Sequence, residues 1–181
     1  MVWSQELQDK WDDAEPGDMI GLPIGFVPRS TKPKLIIERL DPSVPMPKYA
    51  REGDSGFDLH VGSRGVEKTF EGGWFQIQPG RTVQVAMGVR ADIPEGYEVQ
   101  IRPRSGKASK GLVAQFGTVD SGYRGEWMVI LHNNTTEVRT VDSGDRIAQA
   151  VLVPVTQANI VEGAVSTDTE RGEAGFGSTG R

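Results

Sequence analysis

Residues 171–180, near the C-terminus, carry the residue types that bind phosphate groups. This segment, RGEAGFGSTG, holds four glycines that expose backbone N–H groups, and Ser178 and Thr179 add hydroxyl donors. Arg171 adds a guanidinium that can donate two parallel hydrogen bonds to one phosphate. Phe176 offers a flat apolar face on which a nucleobase can stack. Because so glycine-rich a segment cannot pack a core, the alternative is a disordered tail without a ligand.

The spacing of Gly172 and Gly177, with four residues between them, resembles a P-loop. Ser178 stands where a P-loop has lysine, however, and only two residues remain after Thr179 for the helix that must follow such a loop. The tail therefore predicts phosphate binding by backbone amides and hydroxyls, without the lysine and helix of a P-loop.

A second basic stretch, RPRSG at residues 102–106, follows a predicted strand. Arg104 and Ser105 can contact phosphate oxygens through a guanidinium and a hydroxyl. The alternative interpretation of this stretch is a solvated turn.

A third stretch, residues 117–126, places glycines on both sides of Asp120 and Tyr123 and predicts a tight hairpin. A buried hairpin can present backbone amides to the edge of a base. Asp120 is a candidate general base and Tyr123 a candidate for packing on a sugar. Taken alone, an aspartate in a turn is most often turn chemistry.

Asp58 and Gln149 are polar residues inside predicted strands. Asp58 lies between Phe57 and Leu59, which suggests a paired or metal-linked carboxylate; a cap or an ion pair is the alternative. Gln149 lies in the last predicted strand, so its amide needs hydrogen-bond partners.

Bulk composition excludes several kinds of chemistry. The chain of 181 residues has no cysteine, which rules out disulfides, thiolate nucleophiles and cysteine-ligated zinc. His60 and His132 are the only histidines, so a multi-histidine metal site is nearly excluded. The net charge of −5 gives no general attraction to nucleic acid. A polyanionic ligand must therefore be held by a local arginine and lysine cluster, or neutralised by a metal ion.

The elements that must position these residues are short strands. Residues 34–155 predict an all-β domain, a sandwich, barrel or jelly roll, because alternating or β-rich runs recur between turn signals. The predicted strands cover residues 35–40, 74–78, 83–85, 97–101, 127–131 and 147–155. The nearly apolar run 127–131 predicts a strand buried on both faces, and the following Asn133-Asn134 predicts a hairpin turn.

Two appendages flank this domain. Residues 1–33 predict an arm that either straps a neighbouring subunit or binds a protein partner, and residues 156–181 predict a polar arm ending in the glycine-rich tail. Apolar runs are too short to span a membrane, and a basic-then-apolar signal pattern is lacking at the start, so we expect a cytoplasmic protein.

Five stretches resemble the five ordered motifs of the trimeric dUTPase family. They are GFDL at 56–59, RPRSG at 102–106, VDSGYRG at 119–125, GDRIAQ at 144–149 and RGEAGFGSTG at 171–180. The resemblance covers roughly residues 34–181, and it is specific because all five stretches occur in the family's order. It implies a jelly-roll-like β subunit and a homotrimer with a swapped C-terminal tail. The implied activity is Mg²⁺-dependent hydrolysis of dUTP to dUMP and pyrophosphate.

The resemblance also implies roles for individual residues. Asp120 corresponds to the general base that activates the attacking water, and Asp58 to the carboxylate that holds Mg²⁺ through water. Tyr123 corresponds to the ring that packs on deoxyribose and excludes a 2′-hydroxyl. The implied substrate-binding residues are Arg104, Ser105, Gly106, Gly117, Thr118, Val119, Tyr123, Gln149, Arg171, Phe176, Gly177, Ser178 and Thr179.

Several residues depart from the usual pattern of the family, among them Phe57 and the pair Glu173-Ala174 in the tail. Gly122 replaces a frequent acidic residue, and Ala114 replaces a residue that is sometimes polar and contacts uracil. Lys107 stands where an apolar residue is common, and it adds either a phosphate contact or a surface charge.

Two other functions compete with dUTP hydrolysis. One is a deaminase of the same fold that acts on dCTP, against which the intact Asp120–Tyr123 stretch argues. The other is a regulatory binding protein that acts through a partner held by residues 1–33. An assay with dCTP separates the first, and loss of hydrolysis from a well-folded protein would favour the second.

Overall fold

The computed structural model describes residues 32–63, 73–170 and 172. Its described part belongs almost entirely to one compact unit, Leu35–Arg181. The N-terminal arm, except for its last two residues, lies outside the described residues. So do the tail residues Arg171, Phe176, Gly177, Ser178 and Thr179. Within the described ranges, no helix is long and apolar enough to cross a membrane.

The described ranges contain eleven strands and one helical turn, which confirms the predicted all-β class. The strands are β1 Ile36–Arg39, β2 Phe57–His60, β3 Trp74–Ile77, β4 Thr82–Ala86, β5 Val89–Asp92, β6 Tyr97–Pro103, β7 Leu112–Ala114, β8 Gly117–Asp120, β9 Met128–Asn133, β10 Arg139–Asp142 and β11 Arg146–Pro154. The helical turn, α1, spans Ser105–Ala108 between β6 and β7.

All strand pairs are antiparallel, and in the part of the chain that the structure describes none joins two strands that follow each other along the chain. The largest sheet has the order β2-β11-β6-β8, and a second has the order β4-β9-β7. The two remaining pairs are β1 with β5 and β3 with β10. Such long-range pairing is typical of jelly rolls and Greek keys, in which neighbours in a sheet come from distant parts of the chain.

The prediction that β9 is buried on both faces is wrong for the single chain. Val129 and Leu131 are fully buried, whereas Met128 and Ile130 on the opposite face are 39% and 41% exposed. Trp127, just before the strand, is buried instead, and its backbone N–H donates to Val89 O at 2.8 Å. One face of β9 therefore packs on the core, while the other presents apolar side chains that this chain does not cover.

The predicted hairpin at Asn133-Asn134 is also wrong. β9 pairs with β4 and β7, and β10 pairs with β3. The buried Asn133 side chain organises the loop in another way: its amide donates to the carbonyls of Ile77 and Glu137, both at 2.8 Å. Its oxygen accepts from the N–H and hydroxyl of Thr135. All hydrogen-bonding groups of the amide are thus used in joining the loop to β3.

A buried carboxylate fastens the loop after β1 to the end of β2. Asp41 accepts hydrogen bonds from the backbone N–H and hydroxyl groups of both Ser43 and Ser63, the two hydroxyls at 2.7 and 2.6 Å. Gly88 (φ 64°) packs against it, and a Cβ there would lie 2.7 Å from that of Asp41, so only glycine fits. Burial alone would raise the pKa of Asp41, but the hydrogen bonds from Ser63 and Ser43 hold it well below its usual range.

Replacing Asp41 by asparagine is expected to lower the free energy of unfolding at pH 7 by about 1–3 kcal/mol, because the new NH₂ group would face buried donors. Since the folded-state pKa is lowered, the wild-type advantage is full above the usual aspartate pKa of about 3.9 and is lost as the pH falls below it. Urea unfolding at pH 7 and pH 3 checks this. If wild type and variant differed in free energy of unfolding as much at pH 3 as at pH 7, the ionised carboxylate would have no such role.

Candidate active site

Three adjacent strands bring Asp58, Arg104 and Arg146 together. Asp58 on β2 lies opposite Gln149 on β11, and Gln149 lies opposite Arg102 on β6. Arg104, just after β6, donates through Nε to Asp58 Oδ1 at 2.6 Å and through Nη2 to Oδ2 at 3.4 Å. Arg146 at the start of β11 donates through Nη1 to Asp58 Oδ2 at 3.1 Å. The predicted paired carboxylate thus has two guanidinium partners.

This cluster keeps one positive charge in excess, because two guanidiniums share one carboxylate. The nearby His60 adds no charge at neutral pH: burial lowers its pKa, the cationic Arg146 and Arg104 lower it further, and Asp58 opposes them only in part. All three charged side chains remain partly exposed, the Arg104 and Asp58 side chains by 24% and 26%. The cluster is therefore suited to hold an anion at the surface of an acidic protein.

Gln149 supports the backbone of this cluster. Its amide nitrogen donates to Pro103 O at 3.0 Å, directly before Arg104. Its side-chain oxygen would lie 3.2 Å from a Cβ placed at Gly56, so a side chain at residue 56, directly before β2, would crowd Gln149. Of the hydrogen-bond partners that the sequence required for this glutamine, the described structure supplies the Pro103 carbonyl.

Ser105 and Gly106 form the start of α1, and both are exposed. Lys107, which departs from the usual family pattern, forms an ion pair with Asp145 in which Nζ lies 2.9 Å from Oδ2. Lys107 therefore ties α1 to the turn before β11 in this structure, rather than standing as a free surface charge.

Asp120 lies in a different place, at the end of β8. The chain turns directly after it, and the N–H of Tyr123 donates to Asp120 O at 3.0 Å. A cavity of about 480 Å³ borders this turn and is lined by Asp120, Ser121, Gly122, Tyr97 and Glu98, among others.

The ring of Tyr123 is held by its own hydroxyl group. This hydroxyl donates to Glu126 O at 3.1 Å, which fixes the ring over Gly125.

The predicted buried hairpin at residues 117–126 is corrected in two respects. β8 pairs with β6 and does not pair with the segment that follows it. Gly117, Thr118 and Asp120 are exposed in the single chain, and Val119 is half-buried. The tight turn itself is present, but β6 and not a hairpin partner supports it.

The two groups of candidate residues lie far apart within one chain. Asp120 is opposite Glu98 at the start of β6, whereas Arg104 follows Pro103 at its end. Pro103 lies five positions after Glu98 along the extended strand, which corresponds to about 17 Å. A single chain therefore does not bring Asp120 within reach of the arginine cluster.

Two residues at the site were not assigned a role from the sequence. Arg146 lies within the stretch GDRIAQ at 144–149, and its basic character within that stretch was the only signal. Arg124 donates to the carbonyls of Ser121 and Tyr123 and to Asp92. A basic residue four positions after the candidate base is a weak signal, since most arginines in turns are solvated.

An all-β fold with an arginine cluster suited to hold an anion, and with a separate acidic turn, fits a protein that binds phosphorylated ligands. The family model for dUTPase matches residues 42–180, and the chain belongs to that family. It is 43% identical over 151 residues to the deoxyuridine 5′-triphosphate nucleotidohydrolase of Nautilia profundicola, covering 82% of this chain and 99% of the relative. The enzyme of Picosynechococcus sp. with the same name is 46% identical over 145 residues, or 78% of this chain and 95% of the relative.

A solved structure shares the fold. The structure of Staphylococcus bacteriophage 80alpha dUTPase with dUPNHPP superposes with a TM-score of 0.70 at 26% identity, over 82% of this chain and 99% of that chain. The match extends beyond the core strands to nearly the whole length of the phage protein.

Proposed function

We propose that this protein hydrolyses dUTP to dUMP and pyrophosphate, through attack of water on the α-phosphorus. The activity limits uracil in DNA and supplies dUMP for thymidylate synthesis. The observation that carries the proposal is the match of residues 42–180 to the dUTPase family, together with relatives named for this reaction that align over 95–99% of their own length.

Asp120 is the general base in this proposal. The exposed Asp120 carboxylate, on a backbone that the hydrogen bond from Tyr123 N–H to Asp120 O fixes, can accept the proton of a water that attacks phosphorus. Arg104, Ser105 and Gly106 bind the phosphates, and Gln149 acts through the Pro103 carbonyl that precedes them. Residues 171–179 act as the lid that closes over the bound nucleotide and excludes water.

Mg²⁺ is the proposed cofactor, and it would neutralise charge on the triphosphate. Within residues 32–63, 73–170 and 172, no three acidic or histidine side chains are grouped as metal ligands. The donor set therefore fits an ion that is held mainly by the substrate. Asp58 accepts three hydrogen bonds from Arg104 and Arg146, so about one lone pair is left for a metal-bound water and there is no open bidentate face.

A homotrimer is proposed because one chain separates its two clusters. The Asp120 turn of one subunit would face the Arg104 cluster of a second, and the tail of a third would close the site. Two features of the single chain support this arrangement. Met128 and Ile130 present an uncovered apolar face, and in the C-terminal arm Ile160, Val161 and Val165 are 93%, 75% and 89% exposed. Such apolar surfaces are normally covered by another chain.

Release of pyrophosphate from dUTP, dTTP, dCTP and UTP in the presence of Mg²⁺ tests the proposed function. We expect rapid release from dUTP alone, and loss of that release when EDTA removes the metal ion. Ammonia from dCTP would favour the deaminase alternative. No product from any nucleotide with folded protein would overturn the enzyme assignment.

Gly125→Ala is expected to weaken the discrimination between dUTP and UTP by about tenfold or more. A Cβ at residue 125 would lie 2.2 Å from the Tyr123 hydroxyl oxygen and 2.4 Å from Cζ, so the ring that we propose to pack on deoxyribose must move. The ratio of kcat/KM for the two nucleotides measures the effect. Gly122→Ala, where a Cβ meets nothing within 4 Å, is the matched control. An unchanged ratio in Gly125→Ala would contradict the role of the ring position.

A further inference from the structure

We propose that Arg124, anchored by Asp92, is a positioning residue that holds the turn carrying Asp120 and Tyr123 in its productive geometry. The inference rests on the proposed function, since Asp120 is the base and Tyr123 the sugar contact only in dUTP hydrolysis. Neither Arg124 nor Asp92 touches the substrate or the reacting atoms in this proposal. Both act through the turn.

The Arg124 guanidinium joins two parts of the fold. Nη1 donates to the backbone carbonyls of Ser121 and Tyr123, the latter at 3.1 Å. Nη2 donates to Asp92 Oδ1, so one planar group spans the turn and the end of β5. β5 is a firm support, because Val89 and Ala91 are buried and the strand pairs with β1 along its whole length.

The rest of the turn is held only locally. Tyr123 N–H donates to Asp120 O, and the Tyr123 hydroxyl donates to Glu126 O. Glu126 in turn accepts from Gly88 N–H at 2.9 Å, which anchors the end of the segment. Among the side-chain hydrogen bonds of residues 121–124 in the described structure, only the one from Arg124 Nη2 to Asp92 reaches another strand. Loss of the guanidinium would therefore free the middle of the turn while both of its ends stay attached.

The chemistry calls for arginine in particular. Two carbonyls and a carboxylate lie around one planar group, and the guanidinium can donate to all three in fixed directions. A lysine ammonium has the same charge but lacks the planar arrangement of several N–H donors. Because both side chains of the Arg124–Asp92 pair are 54% exposed, the pair itself contributes little to global stability. A positioning role thus predicts a loss of activity that is large compared with the loss of stability.

The chain provides a matched control beside this pair. Arg90 and Glu38 form an ion pair between β5 and β1, with Nε 2.9 Å from Oε2 and side chains 44% and 56% exposed. Both residues line the same surface cavity as Asp92 and Arg124. Arg90 donates to Glu38 through Nε and Nη2, and in the described part of the chain none of its hydrogen bonds reaches the Asp120 turn. Removing it deletes a similar charge and a similar ion pair without touching the turn.

The experiment compares Arg124→Met, Arg124→Lys, Asp92→Asn and Arg90→Met in steady-state hydrolysis of dUTP. We expect kcat to fall about tenfold or more in Arg124→Met, with a melting temperature lowered by no more than about 3 °C. Arg124→Lys should recover only part of kcat. Asp92→Asn should lower kcat less. The double variant Arg124→Met/Asp92→Asn should have the same kcat as Arg124→Met alone, because Asp92 acts through the guanidinium. Arg90→Met should keep wild-type kcat.

Hydrogen exchange of the Tyr123 amide gives a readout that does not depend on activity. This N–H is bonded to Asp120 O, and we expect it to exchange faster in Arg124→Met but not in Arg90→Met. Unchanged kcat and exchange in Arg124→Met, while the wild type cleaves dUTP, would overturn the inference alone. So would an equal loss of kcat in Arg90→Met. A wild type that cleaves no dUTP would overturn the proposed function, and the exchange rate would still decide whether Arg124 holds the turn.

Discussion

Asp120→Asn is expected to lower kcat for dUTP by about 10²–10⁴-fold, the usual contribution of a positioned general base. Asparagine has nearly the same shape, but its amide cannot take the proton of the attacking water. The fold should not suffer, because the Asp120 side chain is exposed and the turn uses its backbone carbonyl, which the variant keeps. Pyrophosphate release at saturating dUTP measures kcat, and the melting temperature checks the fold.

Glu98→Gln is the matched control for this prediction. Glu98 lies directly opposite Asp120 and lines the same cavity, so this substitution removes a carboxylate from the same place. Its Oε1 already accepts from Gln100 Nε2 at 2.6 Å, which commits it to the row of polar side chains along β6. We expect kcat to stay near the wild-type value. If Glu98→Gln lost activity and Asp120→Asn kept it, the base would have been assigned to the wrong carboxylate.

The sequence predicted those parts of the fold that depend on local pattern. Alternation placed β3, β4 and β6 to within about two residues, because the faces of a strand repeat every second residue, and the strongly apolar run at 147–155 placed β11 equally well. Alternation carries no information about which strands pair. Asn133-Asn134 has the composition of a hairpin turn, yet its strands pair elsewhere, and the Asn133 amide serves a distant carbonyl of β3.

The run at β9 shows a second limit of the sequence. Its apolar residues on both faces indicated burial on both faces, and in one chain Met128 and Ile130 remain exposed. The apolar pattern indicates which side chains of the strand are unfavourable to expose to water. It does not record whether the cover comes from the same chain or from another one. Sequence reasoning from a single chain assigns such a strand to the interior by default.

The candidate site was predictable as a set of residue types but not as a geometry. Arg104 was identified from its basic stretch, and Asp58 from its place between apolar neighbours. That the two share hydrogen bonds with Arg146 depends on the order β2-β11-β6, which no local pattern reveals. Arg124 was missed for a related reason, because its partner Asp92 lies 32 positions earlier in the chain and reaches it only through the fold.

Mixing two inactive variants is expected to restore activity, because we propose from the separation of Asp120 and Arg104 along β6 that they act from different chains. Asp120→Asn lacks the base, and Arg104→Gln lacks the guanidinium that binds phosphate and Asp58. In trimers assembled at random from equal amounts of the two, roughly one quarter of the sites would combine an intact Asp120 with an intact Arg104 from a neighbour. We expect about one quarter of the wild-type kcat per site, far above that of either variant alone.

The control for this restoration uses two lesions in the same turn. Asp120→Asn mixed with Tyr123→Ala should give no more activity than the average of the two variants measured alone, because one chain supplies both residues and every turn in the mixture carries one lesion. Mixing already folded trimers without allowing subunits to exchange should also restore nothing. If the Asp120→Asn and Arg104→Gln mixture stays inactive after exchange is demonstrated, Asp120 and Arg104 must serve the same site from one chain. The distance of about 17 Å along β6 would then have to be closed by a rearrangement of the sheet itself. A β-sheet held by ladder hydrogen bonds on both sides of β6 opposes such a rearrangement, which is why we expect the shared site.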